Sequence, residues 1–329
     1  MKTTKTTRTT KITRTLRQRG AALLAAMLTV TLVATFAATA MWQQWRAIEI
    51  ETAERARVQA AWILVGALDW SRLILAEDAG GGSADHLAEP WAVPLEEARL
   101  STFLAADRNV AQVEDASTDT RDAFLSGHII DLQSRLNLAN LVSGDTVNEA
   151  ALAQFERLFA QLGLPPAELT ALVQALRQAQ APGNENADAP LMPQSPSQLA
   201  WLGLAPRTLA LLAPHITLLP ERKPVNLNTA GAEVLMATLR GLDRAGADRI
   251  MAVRQMQPFR SVDDVKKLLG EQIEVSGSEH GVASSYFEVH GRLRMGPTVV
   301  QERSLVRRMG LEATTVWRER TGARVPGMS

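Results

Sequence analysis

The side chains best suited to chemistry are oxygen donors gathered in two places. Asn184, Glu185, Asn186 and Asp188 cluster in the Pro-, Asn- and Ser-rich stretch 181–196, and Asp263, Asp264, Glu271 and Glu274 gather near a second loop. Calcium takes six to eight oxygen ligands, often from loops, so both clusters are calcium candidates, although neither has the EF-hand spacing. A solvated polar loop is the competing reading of each cluster taken alone. Other chemistries find less support. The chain has no cysteine, which excludes disulfides, Cys-ligated zinc and thiol catalysis. The histidines, His86, His128, His215, His280 and His290, are scattered; none falls in a His-Glu-x-x-His motif, and no Gly-x-Ser-x-Gly elbow occurs. The run Gly80-Gly81-Gly82-Ser83 lacks the Gly-Lys-Ser/Thr ending of a phosphate loop and follows no strand. No enzymatic activity is expected.

The elements around these side chains begin with a charge asymmetry. The chain has 329 residues, room for about two domains, with 35 basic and 35 acidic side chains. Lys2, Lys5, Arg8, Lys11, Arg14, Arg17 and Arg19 all lie in the first 20 residues, which contain no acid, so the remainder is net acidic. Ala21 to Met41 then carries no charge. As a helix it would be about 32 Å long, close to the hydrocarbon thickness of a bilayer. A basic flank before it and acids only from Glu49 onward place residues 1–20 in the cytoplasm and the body across the membrane.

The apolar pattern beyond Met41 becomes periodic, with Val58, Ala61, Trp62, Val65, Leu68 and Leu75 on one helical face. One helix from about Ala21 to about Leu75 is the economical reading. Trp42 and Trp45 suit an interfacial aromatic belt, and Trp62 and Trp70 are expected in the core. Residues 128–138 read as a strand or hairpin, and the clearer alternation over 285–295 and 298–308, joined at Gly296-Pro297, predicts an antiparallel hairpin. Helical spacing fills the stretch between, over 150–162, 167–179, 206–212, 232–239, 244–255 and 262–269, with a short turn at 197–202. Arg135-Leu136-Asn137-Leu138 and Pro224-Val225-Asn226-Leu227-Asn228 echo each other ahead of two helix sets. Their asparagines, and Asp131, read as structural, with Asn228 or Thr229 the expected N-cap. The fold class is therefore α/β (α+β): a long N-terminal transmembrane helix, a small antiparallel sheet, and a large inserted α-helical domain with a helix-hairpin-helix-like part.

Two sets of residues resemble a known family. Arg19-Gly20-Ala21-Ala22-Leu23-Leu24 resembles the cleavage site of type IV prepilins and type II secretion pseudopilins. The resemblance implies that a prepilin peptidase cuts after Gly20 and methylates Ala21 as the new N-terminus. That family usually has Glu at the fifth mature position, and this chain has Ala25. The K-type minor pseudopilins of type II secretion also lack that Glu. They are matched further, in order and spacing, by Ile130-Asp131-Leu132-Gln133-Ser134-Arg135-Leu136-Asn137-Leu138, Val225-Asn226-Leu227-Asn228-Thr229-Ala230 and Phe259-Arg260-Ser261-Val262-Asp263-Asp264-Val265. The resemblance implies a pseudopilin fold, a cap role at the pseudopilus tip with I-type and J-type minor pseudopilins, and calcium as a cofactor.

The expected organisation is a basic prepilin leader at 1–20, a pilin helix in the inner membrane at 21–41, and a periplasmic helix with the first part of the body at 42–140. An inserted helical domain at 141–280 and C-terminal strands at 281–329 complete it. The rival reading is a membrane-anchored DNA-binding protein, because residues 225–269 also resemble a helix-hairpin-helix unit. The acidic remainder and Asp243, a carboxylate where a phosphate would approach, make nucleic acid an unexpected partner.

Overall fold

The protein is described by a computed structural model that covers residues 15–82, 84–106, 123–144, 146–180, 190–270, 272–296 and 298–324. It divides into two units, residues 1–59 and 60–329.

In the first unit the described residues belong to helix α1 (Thr15–Gly81), whose N-terminal part is long and apolar enough to cross a membrane and is wholly exposed. Four threonines in this part would seem unsuited to hydrocarbon. Their hydroxyls are satisfied within the helix: Thr29 donates to the Ala26 carbonyl at 2.8 Å, Thr31 to Met27 at 2.9 Å, Thr35 to Leu32 at 2.8 Å, and Thr39 to Thr35. An apolar environment would therefore meet no unpaired hydroxyl. Trp42 and Trp45 are exposed, with their rings 5.6 Å apart.

The second unit opens with the remainder of α1. Strand β1 (Leu95–Arg99), helix α2 (Leu100–Ala106) and strand β2 (Ala123–Asp131) follow. Next come the short strands β3 (Leu136–Asn137), β4 (Val142–Ser143) and β5 (Thr146–Val147), then helices α3 (Glu149–Gln161), α4 (Pro166–Gln180) and α5 (Pro206–Leu212). Strands β6 (Ile216–Thr217) and β7 (Val225–Asn226) lead into helices α6 (Ala232–Thr238), α7 (Arg244–Met256) and α8 (Val262–Leu269), and strand β8 (His280–Gly281) ends the helical stretch. Three long strands close the chain: β9 (Tyr286–Met295), β10 (Thr298–Met309) and β11 (Glu312–Arg324).

The main sheet is antiparallel in the order β1-β2-β9-β10-β11. One face packs under α1, where Leu64 meets Leu125, Leu293 and Val300, and Leu68 and Leu75 meet Trp91, Phe287 and Val306. Gly127 and Gly291 are cross-strand neighbours on this face. A Cβ on Gly291 would lie 3.0 Å from Leu64, and one on Gly127 would lie 2.5 Å from the His290 carbonyl oxygen, so the close approach of helix and strands requires both glycines. A separate core of leucines, Phe155, Phe159, Ile250 and Val265 holds α3 to α8 together.

Three expectations need correction. The buried stripe of α1 is Ala60, Leu64, Leu68, Ser71 and Leu75, leaving Val58 and Trp62 exposed and Ala61 and Val65 half-buried. Residues 58–68 are so uniformly apolar that several stripes fit the helical period, and the flat sheet selects among them. Trp62, expected in the core, is 72% exposed; Trp70 is 38% exposed and stacks edge-to-face on Phe103 at 4.9 Å. The N-cap of α6 is Gly231, not Asn228 or Thr229, because those two side chains are engaged elsewhere, as described next.

Candidate functional site

Strand β2 ends at Asp131, where the chain leaves the sheet for the helical stretch. The Asp131 side chain is wholly buried and gathers four donors. The Gln133 amide donates to Oδ1 at 2.8 Å, while Asn226 Nδ2 at 3.0 Å, Thr229 Oγ1 at 2.5 Å and Ser284 Oγ at 2.7 Å donate to Oδ2. Burial pushes its pKa from the ordinary carboxylate range up to about 6, against the pull of the Thr229, Ser284 and Gln133 donors.

Asn226 carries the network onward. Its Nδ2 also donates to the Asp85 carbonyl at 3.1 Å, and its Oδ1 accepts from the Asn228 amide at 2.9 Å. Asp85 Oδ2 accepts from the Ser284 amide at 2.6 Å, and its Oδ1 pairs with Arg308 Nη2. Arg308 Nη1 reaches Asp78 Oδ2 at 3.0 Å and the Leu75 carbonyl at 3.3 Å, and the guanidinium lies 4.8 Å over the Phe287 ring. One polar cluster thus ties the end of α1, the loop after it, β2, β7, the approach to β9 and the end of β10. Asp78 and Glu89 are both raised above the ordinary carboxylate range by burial. Glu89 is held by the Trp91 indole at 2.7 Å and the His86 amide at 2.9 Å.

The two echoing segments prove to be the same device used twice. β3 pairs in parallel with β6, and β7 in parallel with β8, each over two residues. In both, an asparagine ends the strand and turns its Oδ1 onto the amide two residues on: Asn137 onto Ala139 at 3.1 Å, Asn226 onto Asn228 at 2.9 Å. Asn137 then holds the chain after β6 through the Leu219 amide at 3.1 Å and the Glu221 carbonyl at 2.8 Å. Asn228 brackets Phe259, donating to its carbonyl at 2.9 Å and accepting from its amide at 3.0 Å. Strands of two residues have almost no ladder of their own, and these amides supply the missing partners.

The calcium candidates are dispersed. Asn184, Glu185, Asn186, Asp188 and Glu271 lie outside the described residues. Asp263 pairs with Lys266 at 3.2 Å. Asp264 closes a capping box with Ser261 and accepts from the Arg260 and Ser261 amides at 3.0 and 3.1 Å. Those amides hold its carboxyl below the usual range. Glu274 is exposed. The carboxylates that do converge are Asp78, Asp85 and Glu89, with one oxygen of each within 4.8 Å of the others, and Arg308 neutralises the first two. No sequence signal pointed there, because Asp85 and Arg308 are 223 positions apart. The hairpin between α6 and α7 contains Gly241 at φ +84° and Asp243, whose carboxylate accepts from the Gly246 amide at 2.7 Å. A carboxylate therefore takes the amide that a phosphate would need. Gly20 lies exposed within α1.

Two family models match adjacent parts of the chain, residues 134–221 and 225–289, and both describe type II secretion system (T2SS) protein K. The type II secretion system protein K of Pseudomonas aeruginosa is 28% identical over 305 residues, covering 85% of each chain. The solved GspK–GspI–GspJ complex from the type 2 secretion system of enterotoxigenic Escherichia coli contains a chain with the same fold. That match has a TM-score of 0.62 at 17% identity and covers 82% of this chain and 99% of that one. With the asparagine-bearing repeats falling inside the matched segments, this chain resembles the protein K family of type II secretion systems in sequence and in fold.

Proposed function

We propose that this protein is the K-type minor pseudopilin that caps the pseudopilus of a type II secretion system, in a complex with I-type and J-type minor pseudopilins. The observation that carries this reading is the combination of an apolar, exposed α1 with a body in which a helical stretch is joined to a five-stranded antiparallel sheet through a buried polar junction. The apolar half of α1 anchors the chain in the inner membrane with its basic end cytoplasmic and the body periplasmic. Prepilin peptidase removes residues 1–20, and Ala21 becomes the methylated N-terminus. In other subunits a buried Glu neutralises a neighbour's terminal ammonium. Ala25 cannot do so, which suits the one subunit with no neighbour above it. The helical stretch obstructs stacking of a further subunit, and the protein acts by assembly, not catalysis. Calcium belongs to this reading as a ligand of the acidic side chains, and calorimetry with calcium and then a chelator tests it.

The main test is Gly20→Leu in the secreting host. The expected result is retention of the leader and loss of export; normal processing and secretion contradict the reading. Co-purification of the full chain with I-type and J-type partners from detergent extracts tests the complex directly, and a chain that purifies alone under those conditions argues against the cap.

A further inference from the structure

The outer face of the sheet, opposite α1, carries a histidine pair. His128 on β2 and His290 on β9 are directly opposed in register, and facing side chains at such positions have Cβ atoms about 5 Å apart. Their rings stack 4.5 Å apart with planes 9° from parallel. His290 Nε2 lies 2.5 Å from Glu288 Oε1. With Nε2 as the donor, that bond fixes the tautomer in which the Nδ1 lone pair is free. His128 is exposed, and among the described residues neither of its ring nitrogens has a hydrogen-bond partner.

The charges around the pair are accounted for. Glu288 faces His290, Arg135 and Arg303. Arg303 is turned toward Glu319 at 2.7 Å and the Trp317 ring at 5.3 Å, and Arg292 toward Glu97 at 3.4 Å. A cleft of about 650 Å³ bordered by Glu97, Gln301 and Thr321 opens beside the rings, with room for water ligands.

We propose that His128 and His290 form a binding site for one first-row transition-metal ion, of which zinc is the type, held through one imidazole nitrogen from each. Glu288 is the carboxylate that orients His290. Imidazole selects zinc, copper and nickel over calcium or magnesium, and a carboxylate–histidine–metal relay is the usual support for such a ligand. Zn–N bonds of about 2.05 Å set the two nitrogens about 3.3 Å apart in a tetrahedral site. Rotation of the exposed His128 ring about its Cβ–Cγ bond brings its nitrogen edge toward that of His290. The position gives the ion a structural consequence: β2 is the sheet strand before the helical stretch and β9 the one after it. A metal across them would clip the two ends of that stretch together.

The test uses the full chain in nonionic detergent, titrated calorimetrically with ZnCl2 at pH 7.5 in a buffer that does not bind zinc. One zinc per chain is expected. His128→Gln and His290→Gln should each weaken binding at least tenfold, and Glu288→Gln about tenfold. Saturating zinc should raise the melting temperature of the parent chain but not of His128→Gln, whose exposed position leaves the fold intact. With Cu2+ as the probe, the electron paramagnetic resonance spectrum should show nitrogen coupling that His128→Gln diminishes. No heat beyond dilution, an isotherm unchanged in His128→Gln, or displacement of zinc by millimolar Ca2+ would each overturn the proposal, the last by assigning the ion to carboxylates.

Discussion

Asp131→Asn isolates the buried carboxyl at the centre of the junction. The folded-state pKa of about 6 stands roughly two units above the ordinary aspartate value of 3.8. At 1.36 kcal/mol per unit this is worth about 3 kcal/mol in differential stability. A raised carboxyl binds its proton more tightly folded than unfolded, so its contribution is fully present below about pH 4 and is lost as pH rises through 6. His215 and His280 act oppositely. Burial lowers their pKa values, so their contribution is present above the unfolded value of 6.5 and is lost as pH falls below it. Neither of them bonds to Asp131, so their effects cancel in the difference between parent and variant. Asparagine also adds a pH-independent cost of about 1–3 kcal/mol: with its oxygen kept at the three donors on Oδ2, its amide nitrogen would face the Gln133 N–H. The assay is urea unfolding of the full chain in detergent from pH 4 to 8, followed by the fluorescence of buried Trp91. The stability advantage of the parent over the variant should shrink by about 2.5 kcal/mol between pH 4 and pH 8. A flat difference, or one that grows with pH, refutes the reasoning. The second outcome would mean that the four donors outweigh burial and hold the carboxylate ionised.

Arg308→Met leaves Asp78 and Asp85 buried without their cation and should cost about 3–5 kcal/mol by chemical denaturation, part of which Asp85→Asn should restore in the double variant. Gly127→Ala forces a Cβ against the His290 carbonyl and should destabilise by about 1–3 kcal/mol. Gly66→Ala, itself exposed on α1 with nothing within 4 Å, should instead stabilise by about 0.5–1 kcal/mol; thermal melts of both check the contrast. Asn228→Ala removes both brackets on Phe259 and should cost about 2 kcal/mol, measured by urea unfolding.

Much of the fold was legible because it depends on local signals. Helical spacing over 206–212, 244–255 and 262–269 and alternation along β9 and β10 locate those elements to within a residue or two. β11 was missed: Glu312-Ala313-Thr314-Thr315-Val316-Trp317-Arg318-Glu319-Arg320 lies at the sheet edge, where both faces carry polar side chains and alternation fades. The buried stripe of α1 was misread because a helix that is apolar nearly all round has no preferred phase until it is packed. At the junction, Asn137, Asn226 and Asn228 are legible through an internal echo, and Asp131 through the resemblance carried by residues 130–138. Asp85 and Arg308 are not, because an ion pair across 223 positions leaves no periodicity to detect.

The echo also explains why the junction is polar at all. A chain that leaves a sheet for a long helical stretch and returns must end its ladder twice, and each ending strands backbone groups in the interior. An apolar junction would leave them unpaired at about 1–3 kcal/mol each. A short side-chain amide offers a donor and an acceptor in the space of one residue, so Asn137 can satisfy the chain after β6 and Asn226 can satisfy the loop at Asp85. Such a network has little tolerance for sliding. The amide of Asn226 reaches Asp131, Ser284 and the Asp85 carbonyl within 3.1 Å in one arrangement only. The helical stretch is thereby fixed in orientation to the sheet of its own unit. A subunit that caps a filament needs this property, because a block that swings aside would not stop the next subunit.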